Sequence, residues 1–440
     1  MPSSRDLART LGVSRNTVTD VYEAMIAEGF LEARRGAGTF VAPRDRPPAA
    51  PADPPETGVS SRAAALLAMA DTAPPSGAGW VLSPGVPALD RFPLERWQRC
   101  WSAGIARAGR SALMVEDARG WERLRQMIAA HIGPSRGVAC SPDQIVVLSG
   151  IRQALRVILE FLTDEGEPIL LEDPCLPEAL ATVRAQKVRV VPMPAADAGA
   201  DITAVPSAAR KARLAIVTPG HQYPLGTVMI PERRHALLDW AEAENGYIVE
   251  DDYEGEFWIK SEPVPSLYSQ AANERVIYLN SFSKTMFPSL RISYMVMPRH
   301  LIDSLMRLKA LLDPQVGAPG QLCLSEFIAT GAYNSHLREM RTLYLERRNI
   351  LQHALESLMA DRISVGPAGG GLHLCTELGD AHVDTLVAAR MRAAGYGAKP
   401  LSVHYFGDRT RRLNGMVMGY AGWPGAWLKE AAATFDRACR

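Results

Sequence analysis

The sequence predicts an α/β protein whose main domain is built on a mostly parallel sheet. From about residue 80, short apolar runs alternate with helical patterns, which is the order that such a fold requires. Several of these runs are apolar on both faces, as strands covered by helices on both sides should be. The expected strands are Gln144–Leu148, Pro168–Glu172, Val188–Pro192, Leu214–Thr218, Tyr247–Asp251, Val276–Leu279 and Ile292–Met297.

The chain divides into three predicted parts. Its 440 residues are too many for one average domain. Six prolines between residues 43 and 58 prevent a regular core element and predict a semi-rigid linker, with a short helix after it at 60–70. We therefore expect a module over 1–42, a linker over 43–79 and the main domain over 80–440, ending in a small α+β subdomain.

Charge and cysteine content exclude several classes of protein. Lys+Arg and Asp+Glu balance at 48 each, so no whole-molecule field attracts nucleic acid or a membrane, and any DNA contact must use a local surface. The six cysteines have no CxxC pair or metal-ligand spacing, which predicts free thiols in a reducing cytoplasm and no metal site. No signal peptide or membrane-spanning run is present, so we expect a cytoplasmic protein without membrane contact.

The N-terminal module has the pattern of a winged helix-turn-helix. A short helix is expected over Ser4–Leu11, and Ser14 is a good N-cap for a second helix over Arg15–Glu28. Two short strands, Gly29–Ala33 and Gly38–Val41, flank a basic tip. The apolar face expected on the second helix consists of Val18, Val21, Tyr22, Met25 and Ile26.

Three strings of the module resemble the GntR-type DNA-binding domain. They are Pro2-Ser3-Ser4-Arg5-Asp6-Leu7-Ala8, Val13-Ser14-Arg15-Asn16-Thr17-Val18 and Gly36-Ala37-Gly38-Thr39-Phe40-Val41. The resemblance implies double-stranded DNA as partner, with a recognition helix in the major groove that begins with Ser14, Arg15, Asn16, Thr17 and Thr19. It implies backbone or minor-groove contacts from Arg5, Arg35, Gly36, Gly38 and Thr39. A small helical protein-interaction module is the alternative, because residues 1–46 carry only seven arginines against six acids.

The resemblance also implies a helix before Met1, which this chain lacks. Without this helix, one side of the three-helix core is uncovered. Tyr22, Met25 and Ile26 are therefore expected to be partly exposed. Either the start was assigned too late or the DNA-binding unit is degraded, and the sequence leaves both interpretations open.

Polar residues gather where three predicted strands end, the edge at which open α/β sheets bind ligands. After one strand, Gly150 and Ile151 open a helix whose free N–H groups suit a phosphate. After another, Asp251 and Tyr253 share a face of an extended segment. The third strand ends in Ser281-Phe282-Ser283-Lys284, with Arg291 shortly after it. Hydroxyls, an amine and a guanidinium together suit an aldehyde that carries a phosphate, although a Ser-x-Ser-Lys string alone would be typical of a solvated loop.

From about residue 80, the chain resembles fold-type I, class I aminotransferases, and more closely the aminotransferase-like domain of MocR/GabR-type regulators. The strings that carry this resemblance are Thr218–Gly226, Glu250–Tyr253, Ser281–Lys284 with Pro288–Arg291, and Gly370–His373. It implies pyridoxal 5′-phosphate (PLP) as cofactor, with Lys284 forming the Schiff base, Asp251 pairing with the pyridine nitrogen and Tyr253 donating to the ring hydroxylate. The phosphate would be held by Ser281, Ser283, Arg291 and the N–H groups of Gly150 and Ile151, with His221 and Gln222 near the ring.

Three positions depart from the enzymes of the family. Leu176 stands where an aromatic residue usually stacks on the pyridine ring, and Val115 where a tyrosine usually reaches the partner's phosphate. Gly422 stands where enzymes carry the arginine that binds the substrate carboxylate. The nearby Arg409, Arg411 and Arg412 are expected to be solvated. A bidentate carboxylate clamp contributes about 10²-fold or more to discrimination, so amino-acid transamination is expected to be compromised.

The resemblance leaves two hypotheses for function. The first is a PLP-dependent transcriptional regulator that senses PLP or a PLP–amine adduct and shifts two DNA-binding modules in a dimer. The alternative is a working aminotransferase with a vestigial DNA-binding segment. Both imply a homodimer, because fold-type I pockets are completed by a neighbouring subunit.

Overall fold

The computed structural model describes residues 1–42, 58–70, 80–114, 117–258, 264–366, 370–379, 382–408, 410 and 412–440. Most of the proline-rich segment, Val115, Arg409 and Arg411 therefore lie outside the described residues. The chain separates into two compact units, Met1–Ala64 and Ala65–Arg440. That division falls inside the predicted 43–79 linker, in the helix that begins at Ser61.

The N-terminal unit contains the predicted helices and hairpin. Helices α1 (Ser4–Leu11) and α2 (Arg15–Ala27) are followed by strands β1 (Leu31–Arg34) and β2 (Gly38–Val41), and α3 spans Ser61–Ala70. The Ser14 hydroxyl accepts a hydrogen bond from the Thr17 N–H at 3.1 Å, which is the predicted N-cap of α2. Strands β1 and β2 pair antiparallel, from Leu31 opposite Val41 to Arg34 opposite Gly38.

A small core holds this unit together, made of Ala8, Val18, Tyr22 and Leu31. The prediction that Tyr22 is partly exposed is wrong, because its ring is buried and its hydroxyl donates to the Pro2 carbonyl at 3.0 Å. Met25 and Ile26 are half-buried, as predicted. Val21, expected on the apolar face, is exposed and does not belong to this core.

The larger unit alternates strands and helices, as predicted. Its elements are α4 (Leu94–Ala108), α5 (Glu122–Arg136), β3 (Ile145–Leu148), α6 (Ile151–Leu162), β4 (Pro168–Asp173), α7 (Pro177–Arg184), β5 (Arg189–Ala196), β6 (Gly199–Ala200), β7 (Leu214–Val217), α8 (Pro231–Ala243), β8 (Tyr247–Asp251), α9 (Leu267–Gln270), β9 (Val276–Ser281), α10 (Phe282–Thr285), β10 (Ser293–Val296), α11 (Arg299–Leu312), α12 (Ala318–Ala329), α13 (Ala332–Met359), β11 (Ile363–Val365), β12 (His373–Leu378), α14 (Asp384–Ala393), β13 (Lys399–Pro400), β14 (Gly415–Gly419) and α15 (Gly425–Ala438).

The main sheet has eight strands in the order β3-β10-β9-β8-β7-β4-β5-β6. Strands β9, β8, β7, β4 and β5 run parallel, which confirms the predicted fold class. The predicted strand at 292–297 is β10, which is antiparallel to both of its neighbours. Helices cover both faces, so β3, β7, β9 and β10 are buried along their whole length.

The predicted C-terminal α+β subdomain has a four-stranded sheet in the order β11-β12-β14-β13. Strand β14 lies in the middle, with Val417 opposite Cys375 of β12 on one side and opposite Lys399 of β13 on the other. These three residues therefore share one face of the small sheet.

Candidate functional site

Lys284 lies in α10, which directly follows β9. This position places Lys284 at the carboxyl edge of the main sheet. Its Nζ donates to the Gly85 carbonyl at 3.0 Å. A Cβ at Gly85 would lie 2.3 Å from this Nζ, so the close approach requires glycine. Burial lowers the pKa of Lys284, against the opposing effect of the carboxylates of Glu254, Glu178 and Asp251. A larger fraction of the amine is consequently neutral and nucleophilic.

Asp251 ends β8, the strand beside β9. Burial raises the pKa of its carboxyl to about 7, and Oδ1 has no hydrogen-bond partner among the described residues. The next residue, Asp252, faces the other way and accepts two hydrogen bonds from Arg136, at 2.7 and 2.9 Å. Asp251 therefore presents a carboxyl with a buried, unpaired Oδ1 to the same cleft as Lys284, which suits a cationic ring N–H.

The predicted phosphate-binding residues come from three separate elements. Gly150 directly precedes α6, and a Cβ there would lie 2.5 Å from Arg291 Nη2, so glycine allows the guanidinium to meet the helix N-terminus. The Ser281 hydroxyl caps α10 by accepting from the Ser283 N–H at 3.2 Å. The Ser283 hydroxyl is buried without a partner in the described part of the chain. A cation, a helix N-terminus and an unpaired hydroxyl form a cradle that fits a phosphate.

His221 and Gln222 have different roles, although the sequence treats them alike. His221 Nδ1 lies 3.3 Å from the Tyr253 hydroxyl, which places its ring beside the predicted cofactor contact. The Gln222 amide instead donates to the main chain of Pro174 at 2.7 Å and accepts from the Leu225 N–H at 3.1 Å. Gln222 thus fixes the 222–226 loop through its amide, while His221 faces Tyr253.

A buried carboxylate, Glu254, lies behind His221 and was missed by the sequence analysis. Its Oε2 lies 3.1 Å from His221 Nδ1 and 3.6 Å from His373 Nδ1, and it accepts from the Leu372 N–H at 3.1 Å. The two imidazoles lower the pKa of Glu254 against the effect of burial. A Cβ at Gly371 would lie 2.2 Å from Oε2, so this glycine makes room for the trio. Their three ligand atoms lie within 4.8 Å of one another, a spacing that a metal ion could also use.

Tyr223 is the second residue that the sequence analysis did not single out. Its ring centroid lies 6.1 Å from that of Tyr253, 5.1 Å from that of His373 and 5.3 Å from that of His404. Burial raises the pKa of its hydroxyl. Tyr223 therefore connects the predicted cofactor contacts to the small C-terminal sheet.

In the N-terminal unit, the predicted DNA-binding residues form an open surface. Arg5, Arg15, Asn16 and Arg35 are exposed, and Thr19 and Thr39 are half-exposed. The hydroxyls of Ser14 and Thr17 lie 2.8 Å apart and cap α2, so they position the start of the helix. At the hairpin tip Gly36 and Gly38 have φ of 80° and 101°, which lets the chain turn tightly beside Arg35.

Comparison with known proteins identifies both units. Residues 82–404 match the model of aminotransferase class I and II, and residues 1–41 match that of the bacterial regulatory proteins of the gntR family. The chain is 33% identical over 437 residues to the probable rhizopine catabolism regulatory protein MocR of Rhizobium meliloti, covering 98% of this chain and 87% of that protein. The chain belongs to the MocR-type transcriptional regulators of the GntR family. The pyridoxine biosynthesis regulator PdxR of Corynebacterium glutamicum is 32% identical, covering 96% of this chain and 86% of that protein.

The fold of this MocR-type chain is also found in solved enzymes. The kynurenine aminotransferase of Pyrococcus horikoshii, solved in complex with PMP, superposes with a TM-score of 0.75 at 23% identity. The match covers 87% of this chain and 95% of that one. This likeness confirms the predicted fold-type I architecture of the larger unit.

The predicted departures from the enzymes can be located, apart from Val115. Leu176 directly precedes α7 with 38% of its surface exposed, and it offers no aromatic face. A Cβ at Gly422 would lie 3.0 Å from the Val86 carbonyl oxygen, so a side chain there would require the 86–87 segment to shift by a few tenths of an ångström. Arg412 is half-buried and its Nε is fully buried, so the prediction that it is solvated is wrong. No arginine occurs between Gly415 and Gly422.

Proposed function

We propose that this MocR-type regulator holds PLP on Lys284 and binds double-stranded DNA through its N-terminal unit. The single observation that carries the cofactor proposal is the buried, unpaired Oδ1 of Asp251 in the same cleft as the Lys284 amine. When bound, PLP supplies an aldehyde that condenses with an amine and a ring that withdraws electrons. Asp251 would hold the ring N–H, Tyr253 the ring hydroxylate, and Arg291 with Ser281, Ser283 and the N–H groups of Gly150 and Ile151 the phosphate.

The effector is proposed to be PLP itself or an amine that reacts with it at Lys284. A ligand shifts a regulator only as far as its affinities for the two states differ. We propose that occupancy of the cofactor cleft changes the geometry of two DNA-binding units in a homodimer. Support for self-association comes from Leu113, Met114 and Leu311, which are 86%, 63% and 85% exposed in the single chain. A regulator that binds chromosomal DNA acts in the cytoplasm, and no described helix combines the length and apolar composition of a membrane span.

DNA binding is tested by replacing Arg15, which is exposed at the first position of α2. The full chain should bind DNA from upstream of its own gene, carrying a direct or inverted repeat, with an affinity that falls as salt rises. Arg15→Ala should weaken this binding about 5- to 150-fold, the effect of losing one base contact. Fluorescence anisotropy with labelled DNA measures both affinities, and Arg338→Ala, an exposed arginine of α13, is the matched control. Equal affinities of Arg15→Ala and wild type would contradict the recognition-helix assignment.

One observation supports the alternative, a working aminotransferase. The chain keeps Lys284, Asp251 and Tyr253, the residues expected to contact PLP. Strand β14 and the turn after it carry no arginine, so the bidentate carboxylate clamp of the enzymes is missing. We expect turnover of ordinary α-amino acids with a keto acid to be negligible in a coupled steady-state assay. Multiple turnover on the order of 1–10³ per second would establish the enzyme instead.

A further inference from the structure

Lys399 lies on the face of the small C-terminal sheet that packs against Leu225 and Tyr223. On β13 it lies directly opposite Val417, which lies opposite Cys375 of β12. Directly opposite residues of antiparallel strands share a face. Val417 and Cys375 pack with Leu225, and Tyr223 packs against this cluster. The Lys399 side chain therefore leaves the sheet on the side that faces Tyr223.

The Lys399 amine has no hydrogen bond or ion pair with the described residues, although it is half-buried. Burial lowers its pKa. The Glu178 carboxylate opposes that effect, and it acts in the same direction on Lys284. Both amines thus lie within electrostatic range of one carboxylate. A half-buried cation without a partner is expected to gain from an anionic ligand.

His404 supplies a second unpaired group beside Lys399. Its ring is 4% exposed and lies close to the main chain of Cys175. Neither ring nitrogen has a partner at normal hydrogen-bond geometry among the described residues. Burial lowers its pKa to about 3, opposed by the main chain of Cys175 and reinforced by His373 and Lys399, so the ring is neutral and carries one N–H. A buried donor left unpaired is costly, and a ligand acceptor removes that cost. The centroid of the ring lies 5.3 Å from that of Tyr223.

We propose that Lys399 and His404 bind the carboxylate of an amino-acid effector whose amino group faces Lys284. The ammonium supplies the charge and the imidazole N–H one directional hydrogen bond, which together suit a planar anion with two oxygens. This assignment rests on the proposed function, because the effector amine is expected to react at the cofactor carried by Lys284. It makes the effector class an amino acid, as opposed to a simple amine.

Matched pairs of probes test the proposal on the PLP-loaded full chain. L-Alanine is compared with ethylamine, and 4-aminobutanoate with propylamine, so that each pair differs only in a carboxylate. The dissociation constant of each probe is obtained from the change that it causes in the visible absorbance. In the wild type, the carboxylate-bearing member of at least one pair should bind about tenfold or more tightly. Lys399→Met should reduce this ratio about tenfold while leaving the affinity for the simple amine unchanged.

The unchanged amine affinity shows that Lys399→Met is folded and loaded. Lys399→Arg should keep most of the carboxylate preference, and Lys429→Met, an exposed lysine of α15, should keep all of it. No carboxylate preference in the wild type, or the same preference in Lys399→Met, would overturn the assignment while leaving the proposed function intact. A wild type that shows no visible absorbance with saturating PLP would overturn both.

Discussion

Replacing Lys284 by alanine is expected to abolish the visible absorption of the PLP-loaded protein. The Lys284 amine is the nucleophile in the cleft, because burial lowers its pKa and Gly85 leaves it room. Without it no Schiff base to the protein can form, so the yellow colour of the wild type should be lost on desalting. The measurement is an absorption spectrum after incubation with excess PLP and gel filtration.

Lys429→Ala is the matched control for Lys284→Ala, because Lys429 is an exposed lysine of α15 outside the cleft. It should keep the full band. A visible absorption band that persists in Lys284→Ala, or a wild type that stays colourless with saturating PLP, would contradict the cofactor assignment.

Asp251→Asn is expected to cause the second-largest loss, in PLP affinity. Removing one partner of a buried charge pair costs about 3–5 kcal/mol, which corresponds to a weakening of roughly 10²- to 10³-fold or more. Equilibrium dialysis with PLP measures the effect, and Asp239→Asn, an exposed aspartate of α8, serves as control. An affinity within about twofold of the wild type would mean that Asp251 does not meet the ring nitrogen.

The PLP-free protein gives a further readout for Asp251→Asn. Burial raises the pKa of Asp251 from 3.8 to about 7 in the folded state. Since the unfolded carboxyl ionises first, the wild type should lose stability relative to Asp251→Asn as the pH rises from about 4 to 7, with no further change above that range. Thermal unfolding of both proteins across this range measures the difference, and a constant difference would contradict the burial of this carboxyl.

The sequence determined the elements and the local chemistry. Short apolar runs between helical patterns predict the strands, and Ser14 predicts the start of α2. Both signals can be seen in the sequence because they depend on residues only a few positions apart. Lys284, Asp251 and Gly150 could be placed at strand ends for the same reason. Parallel strands bring their carboxyl ends to one edge, so their convergence on one cleft followed from the fold class.

Only the tertiary structure decided which side chains contact one another in the site. Gln222 is adjacent to His221 in sequence, yet its amide holds its own loop while His221 meets Tyr253 and Glu254. Likewise, Lys399 shares a face with Val417 and Cys375 because β13 pairs with β14 in a register that places it opposite Val417. Such register and side-chain direction depend on contacts between residues far apart in the chain, which local pattern and propensity do not encode.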